Sequence, residues 1–217
     1  MLAAGAVAPG QQRQGTAANQ PAFFASATTA RPGGTVGSLA VRLPLYAAGN
    51  IVVVNLCGNF LTTSDTATAA GWTLDGTAAS GQRILFGFHR IMNGSEGSTV
   101  TFTFNNSFEQ PFALAATYVG TTGTDGTPAT NTLPTTPTWT CGPVTTTGSS
   151  RLMVALSFGE GTDYGALTAG TRRLDVIDGG EAAIIADMAA PVAGPYSMGG
   201  ALTSSFATHS VLIALKP

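Results

Sequence analysis

The clearest pattern along this chain is a strict alternation of apolar and polar residues over short stretches. In segment 99–104, Val100, Phe102 and Phe104 alternate with three threonines. Because successive residues of a β-strand point to opposite faces, this segment predicts an antiparallel strand with one buried face and one solvated face. Threonine, which is β-branched and polar, suits the solvated face.

The same period recurs along the chain, and no segment keeps a clean helical period. It predicts further strands at 82–91, 112–119, 151–158 and 211–215. Segment 51–57 is almost continuously apolar, which is typical of a central strand covered on both faces. Segment 182–188 fits either a strand or a short helix. Asn93-Gly94 and Asp125-Gly126 mark turns, so the fold class is all-β.

The strands fall into two sets whose members lie about 100 residues apart. Segment 50–58 has the pattern of 151–159, and the glycine-led strands at Gly71 and Gly170 follow at similar distances. We therefore predict an antiparallel, jelly-roll-like β-sandwich of two similar halves, with two tandem domains as the alternative. The predicted limits are 21–217 for the sandwich, about 36–119 for half one, 120–137 for a linker and about 138–217 for half two.

Residues 1–20 stand apart, since they are rich in Gly, Ala and Gln and lack a strand pattern. We predict that they form an extended N-terminal arm that is held by a neighbouring subunit. The alternative is an arm that packs on its own sandwich.

Charge is scarce, at 9% of residues against about 25% in an ordinary domain. The surface must therefore rely on hydroxyl groups or be covered by neighbours, which favours an assembly or a neutral extracellular surface. A net charge of −2 argues against nucleic-acid binding. The chain has no apolar stretch long enough for a membrane span and no basic leader, so we expect neither membrane insertion nor export.

The chemistry-bearing residues are few. There are two histidines. His89 alternates with the apolar residues Ile84, Phe86 and Phe88 and is expected to point to solvent, and His209 begins the last strand. No Gly-x-Ser-x-Gly motif occurs, and Glu96, Glu109, Glu160 and Glu181 mostly sit beside Gly or Asn, where turns expose acids. We predict no enzyme, no catalytic residue and no cofactor. Cys57 and Cys141 fit either two buried thiols or one disulfide.

Two sets of residues are weak candidates for a binding site. The carboxylates in one glycine-containing stretch could hold calcium, although they lack EF-hand spacing, and the default prediction is no metal: Asp175, Asp178 and Glu181. Exposed aromatic side chains could stack on a sugar: Trp139, Tyr164 and Tyr196. Trp72 sits in a predicted strand and is expected in the core.

The order of several short motifs is familiar. An Ala-Gly-Trp-Thr-Leu strand at 70–74 is followed by an aromatic strand that ends at Arg90, a Thr-Val-Thr-Phe strand from Thr99 and Tyr118-Val119-Gly120. Over about 36–217 this order resembles the Thr- and Ala-rich β-sandwich structural proteins of tailed bacteriophages, and also some bacterial surface proteins. These are packing and turn motifs, and the group brings no catalytic residues.

The resemblance implies a part in a virion that is assembled in the host cytoplasm. A capsid decoration (cement) protein or a head-fibre or fibre-base protein is expected, in contact with capsid or tail subunits and as a homo-oligomer, by analogy a trimer. The alternative that it implies is a carbohydrate-binding adhesin module, with a host glycan as partner.

Overall fold

The computed structural model describes residues 20–59, 62, 64–161 and 163–217. Fourteen strands form two antiparallel sheets, and the described residues contain no helix, which confirms the predicted all-β fold. Segment 182–188 is part of a strand. The predicted arm at 1–20 lies outside the described residues except for Gln20, so its placement stays a prediction.

Each sheet has seven strands. The first sheet contains Ala22–Thr29 (β1), Thr35–Arg42 (β2), Ile51–Asn59 (β3), Ala67–Thr68 (β4), Thr73–Ser80 (β5), Arg83–Ile91 (β6) and Thr99–Val119 (β7). The second sheet contains Gly123–Thr124 (β8), Ala129–Thr146 (β9), Arg151–Glu160 (β10), Tyr164–Leu167 (β11), Thr171–Asp178 (β12), Glu181–Ala190 (β13) and Gly194–Lys216 (β14).

The two sheets repeat one strand order. In the first sheet β3 lies between β7 and β6, with β5 outside β6 and with β1, β2 and β4 on β7. In the second sheet β10 lies between β14 and β13, with β12 outside β13 and with β8, β9 and β11 on β14. Most neighbours within each sheet are not consecutive in sequence, since β1 lies beside β7 and β3 lies between β7 and β6. The chain therefore crosses over between them, as in the predicted jelly-roll-like sandwich.

The segment that was predicted as a linker contributes to the second sheet. Within 120–137, β8 pairs with the end of β14, and β9 begins at Ala129. Residues from Ala129 to Thr136 then form an edge of this sheet along β14. Alternating threonines let this stretch pair as a strand in spite of Pro134, because proline is tolerated at a sheet edge.

The longest strand of each sheet bends and folds its sheet over itself. β7 pairs with β2 before its bend and with β1 and β3 after it, and Gln110 at the bend has a positive φ of 52°. The neighbouring central strand carries a glycine at each bend. A β-carbon on Gly58 would lie 2.8 Å from the Pro111 backbone, and one on Gly159 would lie 2.6 Å from the Ala207 carbonyl oxygen. Only glycine permits these close approaches.

The two folded sheets enclose three apolar cores. The inner core lies between the halves and combines Ile51, Val53, Leu114 and Tyr118 of the first sheet with Leu152, Leu156, Val211 and Ile213 of the second. Each half also has an outer core beneath its folded-over strands, with Val52, Phe86 and Phe102 in half one and Met153, Trp139 and Leu212 in half two. The central strands β3 and β10 are therefore buried on both faces, as the apolar run at 51–57 predicts.

A pair of glycines sets how closely the two sheets approach. Gly76 and Gly87 face each other across β5 and β6, and Val211 of the second sheet packs against both. A β-carbon on Gly87 would lie 2.9 Å from a Val211 methyl group and 3.0 Å from a Leu156 methyl group. The first sheet therefore has a hollow in which Val211 sits.

We expect Gly87→Ala to lower the free energy of unfolding by about 1–3 kcal/mol, because the added methyl group overpacks the inner core. Urea denaturation measures this loss. Val211→Ala in the same background should restore part of it, and Gly37→Ala, at a position with nothing within 4 Å, is the matched control. A neutral Gly87→Ala would contradict this packing.

Candidate functional site

The most concentrated group of charges bridges the two halves at one end of the inner core. We call it the seam cluster and define it as Arg31, Arg83, Gln110, Asp178 and Glu181. Arg31 donates to Gln110 Oε1 at 2.7 Å and to the Asp178 carbonyl oxygen at 2.8 Å, and it forms an ion pair with Glu181. Its guanidinium also lies 5.2 Å from the Phe112 ring centre.

The elements around the seam cluster explain its position. Arg31 follows β1 and Gln110 lies at the bend of β7, so both come from half one. Asp178 ends β12 and Glu181 begins β13, so both come from the β12–β13 turn of half two. The cluster is therefore a polar link between halves whose other contacts are largely apolar.

Burial sets the electrostatics of the seam cluster. The side chains of Arg31 and Glu181 are 10% and 5% exposed. Burial raises the pKa of Glu181, and the nearby Arg31 and Arg83 act against this rise. Glu160 pairs with Arg83 at 2.7 Å but is 61% exposed, so this second pair belongs to the surface.

A second polar link lies in the middle of the inner core. Asn55, which is fully buried, donates from Nδ2 to the carbonyl oxygens of Ser157 and Ile184 at 2.9 and 3.1 Å. Both acceptors belong to the second sheet. A buried amide with fixed partners favours one alignment of the two sheets over others, since any shift leaves it unpaired.

The arrangement nearest to a catalytic pair is Ser80 with His209. The Ser80 hydroxyl and His209 Nε2 are 2.9 Å apart, and burial lowers the pKa of His209 to about 4, which keeps the ring neutral. A nucleophilic serine needs a base that a third group orients. His209 Nδ1 is buried and bonds to no carboxylate within the described part of the chain. His209 is also only 1% exposed, so a substrate has no access to it.

The other histidine corrects a prediction. By alternation His89 was expected to point to solvent, opposite the apolar face of β6. Instead its Nδ1 lies 2.8 Å from Asp75, and the two side chains are 13% and 3% exposed. Burial raises the pKa of Asp75, and the bond to His89 opposes the rise. The prediction was wrong because the second face of β6 packs toward the other sheet.

The three carboxylates that were candidates for binding calcium lie next to arginine side chains. Glu181 pairs with Arg31, Asp178 lies 3.8 Å from Arg31, and Asp175 pairs with Arg172 at 2.7 Å. The prediction that turn acids are exposed is wrong for Glu181, because its turn lies against half one. Over residues 20–59, 62, 64–161 and 163–217, no group of three or more His, Cys, Asp or Glu side chains is placed to hold a metal ion.

Two of the three sugar-binding candidates lie in the outer core of half two. Trp139 and Tyr164 are each 1% exposed and pack edge to face at 5.6 Å. Neither presents a ring face to solvent, so the prediction of exposed stacking is corrected for both. They are buried because β11 and the second part of β9 cover the second sheet. Tyr196 is half-buried and donates to the Val192 carbonyl oxygen.

The cysteines are two separate buried thiols. Cys57 belongs to the inner core and Cys141 to the outer core of half two. Burial raises the pKa of both thiols, that of Cys141 to about 12. Such thiols are inert toward oxidants and electrophiles.

Sequence reasoning missed Arg31, Gln110, Asn55 and the bond between Ser80 and His209. The one usable signal was the Gln110-Pro111 step, since a proline inside a strand pattern marks a bend or an edge. The other partners come from different halves, and nothing local in the sequence connects them.

The polar groups that the fold brings together thus link the two halves.

No helix in the part of the chain that the structure describes has the length and apolar character of a membrane span. Comparison of the chain with protein-family models, with curated proteins and with solved structures finds no match.

Proposed function

We propose that the protein is a non-enzymatic structural component of a bacteriophage virion, either a capsid decoration protein or a head-fibre or fibre-base protein. The observation that carries the proposal is the neutrality of the outer strand surfaces. On β2 and β7 the exposed side chains are mostly uncharged, among them Ser38, Ala40 and Thr101, and the charged exceptions are Arg42 and Glu109. The motif order that resembles tailed-phage sandwich proteins supports the same function.

Most of the few charged side chains pair with one another within the molecule, and this pairing also supports the proposed function. Carboxylates pair with most of the described basic residues, namely Arg31, Arg83, Arg90, Arg151, Arg172 and Arg173. Asp125 is an example of a firmly paired carboxylate. Burial alone would raise its pKa, but hydrogen bonds from Thr147 and Arg151 hold that pKa well below its usual range. A surface of hydroxyl and methyl groups can be covered by neighbouring subunits without desolvating charges, and the centres of protein interfaces are depleted in charge.

The test is to purify phage particles from the strain that carries the gene and to quantify the protein by mass spectrometry. Hundreds of copies per particle would support capsid decoration, and a handful would support a tail or fibre position. Absence from banded particles, with the protein free in the lysate, would contradict the proposal.

A carbohydrate-binding adhesin module is the second candidate function. A hollow of about 360 Å³ beside Trp139 favours it, because Thr138, Thr140 and Ser197 line this hollow. Such hydroxyl groups can hydrogen-bond to a sugar. Selective binding of the purified protein to one glycan class on an array would support this candidate, and an array without signal would contradict it.

A further inference from the structure

One edge of β1 lacks most of the protection that proteins give to free strand edges, namely charged residues, prolines and bulges. By contrast, β12 has four charged residues and a bulge, and β9 has three prolines. β1 has the sequence AFFASATT, without a charge or a proline, and among the described strands it pairs only with β7. Its one bulge lies before Ala25, so 25–29 keep an unbroken register with β7. β1 therefore offers regular main-chain groups along the edge that faces away from β7.

A groove follows this edge of β1. Its volume is about 510 Å³, and it is lined by four consecutive residues of β1, by 42–45, by Ser98 and by Leu174 of the second sheet. Side chains of consecutive strand residues point to opposite faces, so a groove that touches all four runs along the edge itself. An extended segment in this groove would pair with the main chain of β1, as in recognition by strand addition.

The wall of the groove opposite β1 is held in place by main-chain hydrogen bonds. The Arg42 N–H donates to Thr29 Oγ1 at 2.7 Å, and the Leu43 N–H donates to the Ser98 carbonyl oxygen at 2.9 Å. These bonds fix the wall beside the end of β1 and the start of β7, so the groove is preformed and binding costs little ordering. Leu45, in the same wall, is 77% exposed and favours a ligand with an apolar side chain.

Arg42 gives the groove an uncompensated positive charge. Every Asp and Glu of the chain lies within the described residues, and none of them forms an ion pair with Arg42. The other six described arginines each pair with a carboxylate. Among the described residues, the groove lining contains no other charged side chain. The groove is therefore complementary to a ligand that carries a negative charge next to apolar groups.

We infer that β1 binds an extended peptide segment of a partner protein, in which an acidic side chain meets Arg42 and apolar side chains contact Leu45. The open edge selects an extended main chain, and the unpaired guanidinium selects a carboxylate. A second copy that paired through its own β1 would bring no carboxylate to Arg42, because β1 contains no Asp or Glu. This binding does not depend on a place in a virion.

Selection from a displayed library of random peptides tests this binding, with the full chain as the bait. The peptides have about ten residues, which is the upper length of an ordinary strand. We expect the enriched peptides to share one Asp or Glu and to alternate apolar and polar residues. A selection that enriches no peptide would overturn the inference. Enriched peptides that lack an acidic residue and repeat the β1 sequence would also overturn it, in favour of a second copy.

Substitutions at Arg42 test the predicted ion pair, with the Kd of an enriched peptide measured by fluorescence anisotropy. Arg42→Met should weaken binding about threefold to fivefold, since it removes a solvent-exposed ion pair. Lys216→Met removes the same charge outside the groove and should leave the Kd unchanged. Arg42→Glu should prefer the peptide in which Lys replaces the acidic residue. Equal effects of Arg42→Met and Lys216→Met would contradict the predicted contact.

Methylation of the peptide's main-chain nitrogens tests the strand pairing itself. Alternate N–H groups of a strand point to the same side, so only every second one can donate to β1. Methylation at these residues should weaken binding about tenfold, and methylation at the residues between them should not. Equal losses at all positions would show that the peptide does not bind as an added strand. None of these results bears on the particle test of the proposed function.

Discussion

Replacing Arg31 with methionine is expected to lower the free energy of unfolding by about 3–5 kcal/mol at neutral pH. The change leaves the Glu181 carboxylate, which is 5% exposed, without its closest cation. It also removes the hydrogen bonds from half one to the Asp178 carbonyl oxygen and to Gln110. The remaining cation, Arg83, is 3.9 Å from Glu181 and compensates only in part. Denaturant unfolding measures the loss.

The same substitution should change how stability depends on pH. Burial already raises the pKa of Glu181, so its protonated form favours the folded state. The stability contributed by this group is full below the ordinary glutamate pKa, about 4.3, and falls as pH rises through the raised pKa. Removal of Arg31 raises this pKa further. The difference between variant and parent should therefore be smaller at about pH 4 than at about pH 8.

Arg42→Met is the matched control for this prediction. Arg42 is exposed at the end of β2, and surface substitutions of this kind change the free energy of unfolding by about 0.5 kcal/mol or less. Equal losses for the two variants, or a loss for Arg31→Met that does not depend on pH, would show that the seam cluster does not hold the halves together.

Replacing Trp139 with alanine is expected to lower the free energy of unfolding by about 3–5 kcal/mol. Trp139 is 1% exposed and packs with Tyr164 in the outer core of half two. Gly200 lies close to it, since a β-carbon there would be 3.1 Å from the indole Nε1. The substitution leaves a large cavity that the surrounding strands can fill only in part. Chemical denaturation followed by circular dichroism measures the effect.

Trp72→Ala provides the comparison. Trp72 is half-buried against Phe102, and we expect Trp72→Ala to lower the free energy of unfolding by less than about 2 kcal/mol. If Trp139→Ala kept full stability but abolished binding to a glycan, the indole would be a ligand-binding group. The second candidate function would then replace the first.

Much of the fold follows from period-two patterning. The alternation in 112–119 and 211–215 predicted strands, and the side chains that share a face there belong to one core. The unbroken apolar run at 51–57 predicted a strand covered on both sides. These predictions hold because a strand presents alternate residues to opposite faces whatever the rest of the chain does.

The candidate site was far less predictable. Glu181 was expected in solvent because it follows Gly179-Gly180. His89 was also expected in solvent, because it alternates with the phenylalanines of its strand. Both are largely buried because the second face of their strands packs toward the other half. Arg31 and Glu181 are 150 residues apart, and no local pattern relates them. Their pairing exists only once the two sheets have met.

The sequence alone determined that the chain forms paired strands, where most of them lie and which residues of each strand share a face, because these properties depend on local geometry. Only the tertiary structure decided that each long strand folds back and which charged residues meet at the seam. These features depend on contacts between residues far apart in sequence, which steric fit and the burial of charge select.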